Sequence, residues 1–426
     1  MNAALLRSLD RRLAPPVRPA LSLEERDRRW GRARALLAAR GLEGLIVGTF
    51  RSREAYDSYL TNDHLDGTVV FPLDGAPTAI TWNSTHLSRA NESAVRGEVD
   101  WVADRRPGFG GAATAEIVRE KGLAQARLGI VGLSATSAGE REGTLPYTFW
   151  QNLVTALPDV AFVDVTEAYA DLVLVKSAEE AALVRYAAAV SEAACRRMLD
   201  ACAPGVAEDE VYAAVMAEIF RHGCDVRYPM MSLHSGPANI AWGRPRWIVR
   251  AEPPRILAAG DMVQAEIHTC YGGQEAQVQM AVGIGDIGDV NRRCAAIARD
   301  SYEAGLAIIR PGLRFEALVR AMAAPIEAAG CWAKTPLAHT MNYGAVGGTQ
   351  ANRAQIAGTP EGRIEAAVPA RMRRPDMELV PGMLLELAPN ACLGSHRVNI
   401  GGPVLVTETG CEELSDLPTR MRLSAA

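Results

Sequence analysis

Lysine is almost missing from this chain: Lys121, Lys176 and Lys334 are the only three in 426 residues. Covalent chemistry through a lysine imine therefore has few candidates. An excess of positive charge is missing too, since 45 Lys+Arg stand against 50 Asp+Glu for a net charge of −5. Without a broad cationic surface there is little counterion release to gain on nucleic acid, and no nucleic-acid partner is expected. No stretch offers the roughly 18 uninterrupted apolar residues that a membrane span needs, so no membrane association is expected either. Met1 to Arg12 lacks a sustained apolar core followed by a small-residue cleavage site, and the expected location is the cytoplasm. Closely spaced cysteines are also lacking. The eight thiols run from Cys195 to Cys411 without a CxxC pair, which predicts reduced, mostly buried side chains rather than a zinc or disulfide framework.

What is present is enough apolar content for sizeable cores, 48% of residues, and a length that suits two or three domains. Residues 23–40 place Leu23, Trp30, Ala33, Leu36, Leu37 and Ala38 at helical spacing, and Gly41 follows as a stop. Short β-type runs at 45–48, 68–71, 78–82, 128–131 and 160–165 alternate with helical segments at 113–121 and 148–156, the pattern of an α/β domain that closes near residue 176. Ser177-Ala-Glu-Glu180 then reads as a capping box opening a long helix to about Cys202. Pro204-Gly205 breaks the chain, and 208–220 resumes at helical period. Strand patterns follow over 261–282, 382–391 and 403–407, with helices over 290–309 and 314–329. The Arg- and Pro-rich stretch 369–375 reads as a solvated loop.

Two motifs carry chemical content. Gly283-Ile-Gly-Asp-Ile-Gly288 matches GxGxxG, but the preceding strand alternates polar and apolar residues, as an antiparallel strand does and a dinucleotide-binding strand does not. It reads as a plain strand-to-helix turn. In Gly260–Met280, a strand period of two puts Glu266, His268 and Cys270 on one face, and Gln277 and Gln279 share a face after the Tyr271-Gly272-Gly273 turn. A carboxylate, an imidazole and two amides inside an apolar domain need partners or a ligand.

With these residues in hand, the sequence resembles the creatinase, prolidase and aminopeptidase P group. The resemblance is carried by Val175-Lys176-Ser177-Ala-Glu-Glu180, Ser235-Gly236-Pro237, the Gly260–Met280 hairpin, Pro381-Gly382-Met383 and Val404-Leu-Val-Thr-Glu408 in their order and spacing. It implies an N-terminal creatinase-like α/β domain over 1–176 and an α+β pita-bread domain over 177–426. It also implies a homodimer, because relatives often place N-terminal loops over the neighbouring subunit's site.

Metallopeptidases of this group hold two metal ions with two aspartates, a histidine and two glutamates, a set suited to hard dications and a bridging hydroxide. In this sequence those positions fall at Glu266, Gln277, Tyr343, Ala388 and Gly401, or at Asn399 for the last if the loop 397–402 carries an insertion. One carboxylate remains of five, which predicts no metal and no other cofactor. Creatinase works without metal, yet its catalytic histidine would fall near Gly243 and its two glutamates near Gln279 and Ala388, so a creatine-like substrate is not implied. His339 falls at the position of a non-ligand histidine that assists proton transfer in aminopeptidase P.

Three readings of the altered site stand open. The first is metal-independent cleavage of a C–N bond in a small amide, amidine or cyclic nitrogen compound. In it His339 and Glu266 form an acid/base pair, His268 is a second imidazole, Tyr343 donates to an oxyanion, Gln277 and Gln279 hold an amide, and Arg244 and Arg246 bind a substrate carboxylate. The second is a non-catalytic protein that binds a small molecule or a protein partner. The third is a single metal held by Glu266, His268 and His339. His222, His234 and His396 read as satisfied structural histidines, and Cys270 with His268 lies too far apart along one strand for a tight ion pair.

Overall fold

The structure is a computed structural model and describes residues 18–48, 56–64, 67–82, 84–135, 143–334, 336–341, 344–349, 351–356, 362–363 and 372–424. Tyr343 and residues 369–371 lie outside the described residues.

The first part of the chain builds one six-stranded sheet from β1 (Gly44–Gly48), β2 (Gly67–Pro72), β3 (Thr78–Thr81), β4 (Asp104–Pro107), β5 (Arg127–Val131) and β6 (Ala161–Asp164), in the order β4-β3-β2-β1-β5-β6. β1 lies in the middle, parallel to β5 and antiparallel to β2, and all five of its residues are buried. That explains why Leu45-Ile46-Val47 reads as a continuous apolar run rather than an alternating one. Helices pack on both faces around two separate apolar clusters, one centred on Leu37, Phe71 and Tyr169 and the other on Ile130, Phe149 and Leu153.

The second part opens as the capping box predicts. Ser177 Oγ accepts from the Glu180 amide at 3.1 Å and Glu180 Oε2 accepts from the Ser177 amide at 2.9 Å, starting the helix Ala178–Ala201. A four-stranded sheet is built from β7 (Asp225–Gly236), β8 (Met262–Tyr271) and β9 (Gln274–Gly283), with a short late strand at its edge. β10 (Ala338–Thr340), β11 (Val346–Gly347), β12 (Leu384–Leu387), β15 (Gly402–Val406) and β16 (Cys411–Glu413) form a second sheet in the order β11-β10-β12-β15-β16. Between them in sequence, β13 (Asn390–Leu393) and β14 (His396–Asn399) pair as a ribbon, and β17 (Arg422–Leu423) is the edge strand beside β9. An isolated bridge, Gln279 to Gly401, joins the two sheets. The polar residues of the hairpin lie beside this seam.

β7 was not anticipated from sequence, because Pro229 argues against a strand. The structure places a register shift between Val226 and Met231 and puts Met230 at φ 76°, so the ladder is interrupted at this point of the strand. The GxGxxG stretch is the expected turn, since β9 runs antiparallel to β8 and the helix Gly288–Leu306 begins at its last glycine. All eight cysteines are free and all but Cys411 are buried. Among the described residues no helix is long and apolar enough to cross a membrane.

The two parts are joined by a buried ionic network. Ser22 donates through both its amide and its hydroxyl to Glu179, at 2.7 and 2.6 Å. Arg29, 2% exposed, lies between Glu25 at 2.8 Å and Glu180 at 3.2 Å, and its guanidinium also faces the rings of Tyr59 and Trp101. Burial pushes the Glu25 carboxyl up, but Arg28 and Arg29 together outweigh it and hold it below its ordinary value. Its contribution to stability is thus present above pH 4.5 and is lost as the pH falls through its folded value. Removing one partner of a buried pair leaves the other charge uncompensated, so Arg29→Met is expected to lower the unfolding free energy by about 3–5 kcal/mol. Urea denaturation at pH 7 measures this, and an unchanged midpoint would show the network to be incidental.

Candidate active site

The register of the four-stranded sheet brings the polar side chains together. On β8, Gln264, Glu266 and His268 point to one face. On β9, Gln279 is paired with Glu266 and Gln277 with His268, and on β7, Ser232 is paired with Glu266 and His234 with Gln264. Paired residues of antiparallel strands project to the same side, so all seven line one wall.

Glu266 is the hub. Its Oε1 accepts from Gln277 Nε2 at 2.5 Å and from Gln279 Nε2 at 2.9 Å, and its Oε2 accepts from the Trp242 indole at 2.6 Å. His268 Nε2 lies 3.8 Å from Oε2. Burial pushes the Glu266 carboxyl up, but His268, Gln279, His339 and Trp242 outweigh it and hold the group below its ordinary range. It is therefore an ionised carboxylate at neutral pH. On its other side, His268 Nδ1 meets Glu275 Oε1 at 3.0 Å, and Glu275 lines a cavity of about 50 Å³ between the hairpin tip and the N-terminal part, shared with Arg29, Tyr59, Lys176 and Met341. A carboxylate–imidazole–carboxylate chain thus runs from the centre of the wall to the junction between the two parts.

The facing sheet supplies His339 and Glu386, paired across β10 and β12. His339 is 1% exposed, and its Nδ1 donates to the Thr340 carbonyl at 2.8 Å, which leaves Nε2 as the atom able to take a proton. Glu386 is fully buried with no hydrogen-bond partner on either oxygen. Burial, then the negative charges of Glu266 and Glu275, push it well above the ordinary carboxylate range, against an opposing contact from Gln279. His268 Nε2, Gln279 Oε1, Ser232 Oγ and Asn399 Oδ1 are further buried polar atoms without a hydrogen-bond partner. So many unmet atoms on one wall are unusual in a protein interior and mark a place where a ligand or a proton belongs.

The structure therefore gathers Glu266, His268, Gln277, Gln279 and His339. Arg244 lies over the Tyr228 ring at 6.0 Å, and Arg246 is exposed and paired with Glu252 at 2.9 Å. His234 donates from Nε2 to the Gly243 carbonyl at 3.0 Å, and burial lowers its pKa to about 4 despite that contact, with Arg397 and Lys334 adding to the shift. It is neutral at physiological pH, as a structural histidine would be. His222 is held by Glu218 at 3.1 Å and His396 faces Asn291 at 3.2 Å. Among the described residues no three or more of His, Cys, Asp and Glu are grouped to hold a metal ion, the trio Glu266, His268 and His339 included.

Sequence reasoning missed Trp242, Glu275 and Glu386. For Glu386 a signal existed: it is the one charged residue in the apolar run Met383-Leu-Leu-Glu-Leu-Ala388, and a carboxylate in a buried strand calls for an explanation.

The position of Gly401 shows how the wall is packed. A Cβ built there would overlap Gln279 Oε1 and would meet the Leu387 carbonyl at 2.5 Å. The Gln279 side chain therefore occupies the space into which a residue at 401 would extend.

Comparison with known proteins accords with this architecture. The chain is 24% identical over 306 residues to the uncharacterized hydrolase/peptidase y4tL of Sinorhizobium fredii, covering 68% of this chain and 69% of that protein. It is 27% identical over 159 residues to methionine aminopeptidase 1 of Mycobacterium tuberculosis, covering 36% and 58% respectively. Among solved structures, the X-Pro aminopeptidase of Thermotoga maritima superposes with a TM-score of 0.72 at 16% identity over 92% of this chain and 99% of that one. Dipeptidase PepE of Mycobacterium ulcerans does so at 0.70 and 20% identity, over 95% and 99%. These structures share the pita-bread fold with its creatinase-like N-terminal domain. The sequence profile of metallopeptidase family M24 matches residues 182–408, just over half of the chain, and the chain belongs to that family.

Proposed function

We propose that this member of the family is a hydrolase that cleaves a C–N bond in a small amide, amidine or cyclic nitrogen compound by acid/base chemistry, without the paired metal ions of its peptidase relatives. The observation that carries this reading is the state of Glu266. Three N–H donors, from Trp242, Gln277 and Gln279, point at its two oxygens, an arrangement that holds a carboxylate in place and directs positive hydrogens where a dication would have to approach. The other described positions equivalent to metal-binding residues in the relatives are Gln277, Ala388 and Gly401 or Asn399, and none supplies a negative charge. This donor set does not fit two dications.

The remaining groups suit proton transfer. His339 presents Nε2 as the basic atom, Glu266 is ionised, and the His268–Glu275 pair offers a route by which protons exchange with the cavity. The Trp242 indole, which donates to Glu266 while its ring is more than half exposed, links this buried wall to the surface.

Two measurements test the reading together. Elemental analysis of protein purified without added metal is expected to find well under one equivalent of transition metal per chain, with hydrolysis of small amides or amidines unaffected by chelators. Two equivalents per chain, or activity that appears only on adding manganese, would refute it.

A further inference from the structure

The cavity at the junction of the two parts is lined by charges of mostly one sign. Its cations are Arg29 from the helix Leu23–Ala39, Lys176 from the linker and Arg227 from β7, and its one carboxylate among the described residues is Glu275. Arg28 and Arg29 share Glu25 and Glu180 between them, two charges against two. What is left at the cavity is Lys176 and Arg227 against Glu275, an excess of one positive charge. Asp57, beside Ser58 in sequence, does not line the cavity and lies 3.5 Å from His64 instead.

Donors accompany the charge. Arg29 is 2% exposed, and its Nη2, although 3.2 Å from Glu180, makes no hydrogen bond. Gly272 and Gly273, at φ 55° and 78°, form a two-residue turn at the cavity wall, and their amides lie outside the ladder that ends at Tyr271 and Gln274. Successive backbone amides in a turn are a recurrent means of holding an anion. Arg227 lies where the pairing of β7 is interrupted, and its Nη2 reaches the same turn, donating to the Gly273 carbonyl at 2.7 Å.

We propose that this cavity is a binding site for a small monovalent oxyanion of the carboxylate class, which bridges the two parts of the chain. Size sets the upper limit. About 50 Å³ holds roughly three or four water-sized groups, which suits formate or acetate and excludes a nucleotide or a sugar phosphate. Charge sets the valence. One negative charge meets the excess, whereas a dianion would bring a second beside Glu275, whose Oε1 is already engaged with His268 Nδ1 at 3.0 Å. The guanidinium fork sets the class, because its paired N–H donors match the two oxygens of a carboxylate. The anion would touch Arg29 and Ser58 on the N-terminal side and the hairpin tip on the other, so its binding stabilises their docking. The site is separate from the chemistry at Glu266 and stands or falls independently of the C–N cleavage reading.

Isothermal titration calorimetry of the full chain tests this, at constant ionic strength in a salt of a sulfonate too large for the cavity. Sodium formate and sodium acetate are expected to bind at one site per chain, and sodium chloride and sodium sulfate more weakly. Arg227→Gln and Lys176→Gln are each expected to weaken formate binding about 10-fold or more, the loss of one charged donor. Arg96→Gln, which alters an exposed arginine paired with Glu98 at 2.9 Å, is expected to leave it unchanged. Melting in the sulfonate salt alone checks that each variant is folded, and added formate is expected to raise the wild-type midpoint but neither variant's. Absence of saturable formate binding, or binding that survives both substitutions, overturns the proposal. Chloride or sulfate bound as tightly as formate overturns the carboxylate class.

Discussion

Replacing His339 by glutamine is expected to lower kcat on a small amide or amidine about 10²- to 10⁴-fold, the range typical for removal of a positioned acid/base group. Glutamine is the informative substitution because His339 does two things. Its Nδ1 donates to the Thr340 carbonyl at 2.8 Å inside a fully buried strand, and its Nε2 is free of that bond. Alanine removes both functions and leaves a buried carbonyl without that donor, at a cost of about 1–3 kcal/mol. A glutamine amide can keep the donation to Thr340 while being unable to carry a proton to or from substrate. The expected result is a protein that melts within a few degrees of wild type, with kcat collapsed, KM little changed, and the limb of the pH–rate profile that reports the imidazole abolished. Near-normal turnover in a folded His339→Gln protein would remove this histidine from the chemistry and leave the Glu266–His268–Glu275 chain to carry proton transfer.

The fold was legible where physical pattern is strong. The capping box at Ser177–Glu180, the helix of 23–40 and the buried run of β1 depend on local hydrogen bonding and periodicity, and they appear close to where the sequence places them. The break of β12 from β13 at Ala388-Pro389 was read as one continuous strand over 382–391, because Pro389 follows a β-type run and only the structure shows the chain leaving one sheet for another there. β7 is hard to read for a related reason: a proline in the sequence normally counts against a strand, and the register shift between Val226 and Met231 is a tertiary feature.

The site was legible along the chain and opaque across it. A period of two places Glu266 and His268 on one face, and the hairpin turn fixes Gln277 and Gln279 opposite them, so half of the wall follows from one segment of sequence. The other half comes from β10 and β12, whose register against each other no local pattern reveals. His339 was reached through resemblance to relatives, and Glu386 was passed over because the same resemblance directs attention to position 388. What the structure adds for Arg244 and Arg246 is their partners, the Tyr228 ring and Glu252, which the sequence does not reveal.

Gly401→Ala is expected to destabilise the protein by about 2–4 kcal/mol, a large effect for one methyl group. The added carbon would overlap Gln279 Oε1 and press on the Leu387 carbonyl at 2.5 Å. One of these obstacles is a side chain and the other is backbone, which makes the prediction divisible. In a Gln279→Ala background the side-chain obstacle is gone, so the cost of Gly401→Ala should fall by about 1 kcal/mol or more without vanishing. Urea unfolding of the four proteins closes this cycle, and additive effects would show that Gln279 does not fill the space above residue 401. The same geometry governs Gly401→Glu, which would place a carboxylate at one of the two positions, 399 or 401, where the resemblance puts the last metal-binding glutamate. With Gln279 in place, the new side chain has no room at the wall, and the three donors on Glu266 remain. Calorimetric titration with manganese is therefore expected to show no tight binding by that variant. Tight binding would mean that one carboxylate suffices to convert the site back, and that the neutral residues at 277 and 279 yield to a cation.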